Sequence, residues 1–195
     1  NTGIVFPLNF KGGDLHGWNL RLDAGPYEGL RGYLSVGHVR AIYDPPFVGG
    51  LFLDTEALDS LSGGPFVIDH DQNLQEQLGL FWDIPRSGFW VGVTQRYDSG
   101  LVTDAGEPGD VLGSPDTAYA FPYINFSSDP QRVKPRTVWN LSFGARLQQY
   151  GLPFEVQLDL LNAGDEQGLY NFQSVFGGTH VIPPRMLAGR IRYVF

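Results

Sequence analysis

The sequence predicts an all-β fold made of the antiparallel strands of a transmembrane β-barrel. About seven or eight strands are expected, with short turns at one end and long external loops at the other. Three observations predict it. The chain finishes on Leu187, Gly189, Ile191, Tyr193 and Phe195 at alternate positions, with Arg190 and Arg192 between them. That period of two gives a strand one apolar and one polar face. Several further stretches alternate in the same way, separated either by a few turn residues or by the long segments 44–71, 98–135 and 162–184. Finally, no stretch of about 18 or more apolar residues offers a membrane-crossing helix. Barrel strands pass that test unseen, because alternation hides their hydrophobicity.

Composition narrows the classes. The 195 residues suit one domain, read here as a single segment over 1–195, and include 26 Gly, 14 Pro, 14% aromatics and no Cys. Glycine and aromatic residues with few lysines favour strands and turns over helices. A net charge of −8 argues against nucleic acid as a partner, since phosphate binding demands a basic face. Without cysteine there is neither a disulfide framework nor a thiolate metal site. The chain begins at Asn1 with no visible signal peptide, as a processed chain or a fragment would.

The elements follow in order. Residues 4–10 alternate but carry Pro7, which marks an edge or a strand entrance. Lys11-Gly12-Gly13-Asp14 reads as a turn. Trp18, Leu20 and Leu22 then share one face against Asn19, Arg21 and Asp23, and Ala24 to Gly29 turns the chain. Leu30, Gly32, Leu34 and Val36 line the next strand, and the alternation reverses after Gly37, as a bulge there would produce. Residues 44–71 interrupt the pattern, with a short helical turn expected at 54–61.

Alternation resumes at Leu74, Leu78, Leu80, Trp82 and Ile84. Pro85 to Gly88 reverses the chain into Phe89, Val91 and Val93, which predicts a tight hairpin. A second polar loop over 98–135 carries Asp98, Asp104, Glu107, Asp110 and Asp116. Trp139 to Leu147 and Phe154 to Leu160 form another pair of strands around Tyr150-Gly151-Leu152-Pro153. The loop 162–184 leads into the closing strand. Strands of about nine to eleven residues suit a tilted crossing. Aromatics near strand ends (Trp18, Tyr43, Trp82, Trp90, Trp139, Tyr150 and Tyr193) suit interfacial girdles.

Catalytic and metal readings are weak. Asp69-His70-Asp71 offers three ligand types in a row, but neighbours on an extended chain point to opposite sides. His16, His38 and His180 stand singly. The acidic loop lacks the alternate spacing and terminal Glu of a calcium loop. No strand–turn–helix context supports a nucleophile at Ser62 or Ser99. The expectation is a protein that is not an enzyme and holds no metal or cofactor.

Several stretches together carry a resemblance. They are Gly29-Leu30-Arg31-Gly32-Tyr33-Leu34-Ser35, Phe66 to Gln72, Gly88 to Gly92, and Arg96 to Leu101. Leu161-Asn162-Ala163, Leu169 to Phe172, Gly178-Thr179-His180, Pro184-Arg185 and the terminal Phe195 complete the set. In order and spacing the chain resembles the C-terminal barrel region of TonB-dependent outer-membrane receptors, of the type carrying a carboxypeptidase-regulatory-like domain. The likeness runs over nearly the whole chain and is most specific from Phe66 to Phe195.

The resemblance implies nutrient uptake across the outer membrane of a Gram-negative cell, driven by TonB. A full receptor has a barrel of about 22 strands, a plug and a TonB-contacting box, neither of which is visible here. The expectation is therefore a barrel segment whose partners are outer-membrane lipid, the barrel assembly machinery and a small-molecule nutrient, with the TonB complex engaged through a missing N-terminal part. Loops 44–71, 98–135 and 162–184 would capture ligand. Arg21, Arg96, Arg146, Arg190 and Arg192 would face the lumen, and Tyr193 and Phe195 would form the assembly signal. Two alternatives stand beside it: a small stand-alone outer-membrane barrel acting as a pore or surface protein, and a soluble carbohydrate-binding β-sandwich.

Overall fold

The computed structural model describes residues 8–49, 63–68, 71–103, 105–174 and 178–195. The helical turn expected at 54–61, together with Asp69, His70 and Asp104, lies outside them. The fold is all-β and antiparallel. Its first hairpin joins β1 (Leu8–Tyr27) to β2 (Leu30–Gly49), and the short β3 (Phe66–Val67) adds to β2 at Ile42 and Tyr43. Next come β4 (Gln72–Asp83) and β5 (Phe89–Asp98). A folded excursion then holds α1 (Pro108–Gly113), β6 (Ile124–Asn125) and β7 (Arg132–Val133). The strands β8 (Arg136–Arg146) and β9 (Phe154–Leu161) follow, then the hairpin β10 (Leu169–Ser174) and β11 (Gly178–Val181), and finally β12 (Met186–Tyr193).

The main sheet runs β1-β2-β4-β5-β8-β9-β12, every neighbour antiparallel. It does not close into a barrel among the described residues: β1 and β12 are its two edges.

Local chemistry explains the turns. Glu28 and Gly29 both take positive φ (48° and 83°), the two-residue geometry whose twist matches paired strands. The turn expected over 24–29 thus contracts to its last two residues, with a register shift between Ala24 and Tyr27. The hairpin expected at Pro85–Gly88 forms there, with Ile84 N–H donating to Phe89 O at 2.9 Å. The bulge expected in β2 near Gly37 is not there: β2 keeps unbroken register with β1 from Leu34 to Ala41, and the shift between Gly37 and Val39 in the pairing with β4 puts the extra residue on β4, between Gln72 and Gln75.

Two further expectations need correction. Lys11 to Asp14 is strand, not turn, because Gly12, Gly13 and Asp14 pair with Asp44, Tyr43 and Ile42. For the same reason the break expected at 44 comes later, and β1 and β2 each reach 20 residues. Pro45 and Pro46 fall in the register shift opposite Lys11, where the ladder demands no regular donor.

Register fixes two continuous faces. Ala24, Gly32, Leu80, Val93, Leu141, Leu160 and Leu187 form one row across all seven strands. One residue along each strand, Arg31, Phe81, Gly92, Ser142, Asp159 and Ala188 form a row on the other side. Large apolar side chains are exposed along the first of these faces. Leu80, Leu141, Phe143 and Leu187 are 48%, 42%, 58% and 68% exposed, whereas Thr94, Asn140 and Ser142 are half-buried and Gly79, Gly92 and Gly144 buried.

The only clustered core among the described residues lies in the excursions, where Val111, Ala120, Ile124 and Val133 pack with Leu169 and Phe172. The segment 98–135, expected as a solvated polar loop, is therefore a small folded cap joined to the β10–β11 hairpin. Thr103 Oγ1 ties the two further by donating to Phe172 O at 2.6 Å.

Candidate functional site

Alternation along the strands and the register between them put Arg21, Arg96, Arg146, Arg190 and Arg192 on the polar face together. Each makes a polar contact. Arg21 forms an ion pair with Asp23 at 2.8 Å and lies over the Tyr33 ring at 4.6 Å. Arg190 donates to Gln157 Oε1 at 2.6 Å, and Arg192 sits 3.4 Å from Glu155. Arg146 meets Asp83 at 2.8 Å, and Arg31 meets the same carboxylate from the other side at 2.8 Å.

Aromatic rings floor this face. Tyr33 lies over Gly79, Phe81 over Gly92 and Trp90 over Gly144, each on the next strand, so that a Cβ at any of the three glycines would collide with the ring. A strand glycine offers no side chain to pack, and a flat cross-strand ring fills that gap. The polar face is thereby shallow and closely knit.

Where the polar face meets the cap, the charges become buried. Asp98 is 1% exposed and receives Arg96 Nε at 2.9 Å, Arg136 at 3.2 Å and Gln72 Nε2 at 3.1 Å. Arg136 also donates to Leu169 O at 2.8 Å and lies 4.5 Å from the Tyr170 ring. Asp71, likewise buried, pairs with Arg132 and accepts from Ala41 N–H at 3.2 Å. Arg132 reaches Gly100 O as well, at 3.2 Å. These contacts pin the cap and the β10–β11 hairpin to the ends of β4, β5 and β8. Asp98 thus departs from its expected place in a solvated acidic loop, because two guanidinium groups enclose it.

Beside this network lies a cavity of about 370 Å³, lined among others by His38, Arg40, Asn73, Asn125, Asp129 and Arg132. His38 Nδ1 is 2.9 Å from Asn73 O. Arg40 has no ion-pair partner among the described residues. Cavities of this size hold small ligands, and this lining offers hydrogen-bond donors and acceptors of both charges. Segments 44–71 and 98–135 both contribute to it, through Val67 and Asp71 and through Ser99 and residues between Asn125 and Pro135, with β2 supplying His38 and Arg40 and β4 supplying Asn73. Segment 162–184 does not line it; its Leu169 and Tyr170 hold Arg136 instead.

Sequence reasoning missed Arg132 and Arg136. Arg136 was within reach, since it continues the polar positions Asn140, Ser142 and Arg146 at even spacing along β8. Arg132 carries no such periodic signal.

The remaining candidates are dispersed. His16 lies 3.4 Å from Asp14, and His180 Nδ1 is 2.9 Å from Asn171 Oδ1. Among the described residues no three His, Asp or Glu side chains are grouped to hold a metal ion. Tyr193 stacks edge-on between Phe154 at 5.4 Å and the exposed Phe195 at 5.0 Å. Compared with protein-family models and with curated proteins, the chain matches none.

Proposed function

We propose that the chain forms part of the wall of an outer-membrane β-barrel, as the barrel segment of a TonB-dependent receptor that takes up a small-molecule nutrient. The observation that carries the barrel reading is the apolar face, continuous across seven strands, on which large side chains such as Leu80, Leu141, Phe143 and Leu187 stand exposed. Fully burying a Leu or Phe contributes about 1.5–3 kcal/mol, of which these half-exposed side chains forgo a part, and a patch of this extent marks a surface that another apolar phase covers. Lipid acyl chains supply that phase, and the arginines opposite then face a wet interior.

Tyr27, Trp82, Phe89, Tyr150, Phe154 and Tyr193 gather at the short-turn end of the sheet, where a membrane interface favours aromatic side chains. On this reading the cap and its polar cavity, at the opposite end, take the part of ligand capture. Coupling to TonB rests on the sequence resemblance alone.

The test is refolding of the chain with and without detergent micelles, followed by far-ultraviolet circular dichroism and gel mobility before and after boiling. A β spectrum that appears only with detergent is expected. Cooperative folding in plain buffer would sink the membrane reading.

A further inference from the structure

The cavity between the sheet and the cap presents two opposite charges that the fold leaves unpaired. Part of its lining is already engaged. Arg132 holds Asp71 and Gly100 O, and Ser99 Oγ accepts from Leu74 N–H at 2.9 Å. Arg40 and Asp129 differ from these. Both line the cavity, both are exposed, and neither side chain has an ion-pair or hydrogen-bond partner among the described residues. They reach it from separate parts of the fold. Arg40 stands on β2, two positions from His38, whereas Asp129 lies in the turn between β6 and β7 of the cap.

The neutral groups of the lining are also available. His38 Nδ1 faces the carbonyl of Asn73 at 2.9 Å and so carries a proton there, which leaves Nε2 of the neutral ring as an acceptor. The Asn73 side-chain amide has no partner among the described residues. Asn125 accepts from Ser127 N–H through Oδ1 and keeps its amide hydrogens. Val67, Pro130 and Pro135 supply an apolar wall.

This set of groups selects among ligand classes. A simple anion on Arg40 would also meet the Asp129 carboxylate, and a simple cation on Asp129 would meet Arg40; such like-charge contacts work against binding. A neutral ligand would displace water from both charges and pair neither, which costs affinity. A ligand carrying one carboxylate and one ammonium satisfies both, the carboxylate on the forked guanidinium. In a single α-amino acid those two groups flank one carbon. Here their partners come from the sheet and from the cap, which suits termini held apart by a peptide unit, since each extended residue adds about 3.3–3.6 Å. The Asn73 amide matches the donor and acceptor of that peptide unit.

We propose that the cavity binds a free peptide of about dipeptide size with an aliphatic side chain, its carboxylate on Arg40 and its ammonium on Asp129. The bound peptide ties the cap to β2. This identity of the ligand rests on the nutrient-capture reading above, whose cargo it names.

The test is calorimetric titration of the full chain with glycyl-leucine, its N-acetyl form, which lacks the ammonium, and its C-terminal amide, which lacks the carboxylate. The unmodified chain is expected to bind glycyl-leucine at least about tenfold tighter than either blocked form, the scale of one charged hydrogen bond. Arg40→Gln is expected to abolish the discrimination against the amide and keep that against the N-acetyl form; Asp129→Asn should do the reverse. A merely structural role of either residue would weaken all three peptides alike. That outcome, equal binding of the three, or no binding of glycyl-leucine overturns the proposal. Folding of the chain in plain buffer would sink the membrane reading and leave the titration valid there. A chain that folds only in micelles and binds none of the peptides would sink the peptide assignment alone.

Discussion

Asp98 illustrates how one side chain decides the place of a whole excursion. Its carboxylate is almost fully buried and balances Arg96 and Arg136, and through Arg136 it holds the carbonyl of Leu169. Removing one member of a buried pair strands the other charge, at about 3–5 kcal/mol. Asp98→Ala is therefore expected to loosen the β10–β11 hairpin and speed protease cleavage within 162–184; unchanged cleavage would assign the anchoring elsewhere. Gly144 acts by what it lacks. Gly144→Ala would push the Trp90 ring off the sheet and should cost about 1–3 kcal/mol, as overpacking does. Combined with Trp90→Ala, that cost should largely vanish in urea unfolding, since residues in contact couple; strict additivity would refute the seating of ring on glycine.

At the level of the strand, faces matter more than sequence distance. Leu141 and Ser142 are neighbours on β8 but belong to opposite surfaces, one of exposed apolar side chains and one half-buried and polar. If the barrel proposal holds, Leu141→Arg destabilises the chain in lipid vesicles by about 2–4 kcal/mol, the cost of a cation in the middle of a lipid-facing band. Ser142→Arg, beside Asp159 (2.6 Å from Ser142 Oγ), should cost far less. Equal losses would mean that the two surfaces meet the same medium.

This alternation was legible in the sequence because it is local: the closing strand and the reversal at Pro85–Gly88 stand where periodicity and turn chemistry put them. The length of the first hairpin was not legible. Gly12-Gly13 and Pro45-Pro46 read as punctuation one strand at a time, and only their mutual placement across a register shift lets both strands continue. Likewise, nothing near Phe172 announces that it packs with Val111 and Val133. Such contacts join segments far apart in sequence, which no window of neighbouring residues contains.

Over the whole molecule the distribution of apolar groups is divided. The cap buries its own and folds as a water-facing unit would, whereas the sheet exposes one entire surface and leaves two edges open. A soluble sandwich would require a second sheet over Leu80, Leu141 and Leu158, and none lies there among the described residues. The first hairpin reaches past the sheet: β4 pairs with β2 only as far as Val39, while β1 and β2 run on together to Leu8 and Gly49.

The rings seated on glycines bear on how such a sheet assembles without error. A slip of one residue turns every side chain to the wrong surface, but a slip of two preserves the surfaces and is harder to reject. Here it would set Tyr33 against Gln77 or Phe81, Phe81 against Thr94 or Trp90, and Trp90 against Ser142 or Arg146. No ring would find a vacancy. The three pairs act as keys cut for single locks, checking alignment at three successive seams while the strands are still being laid side by side.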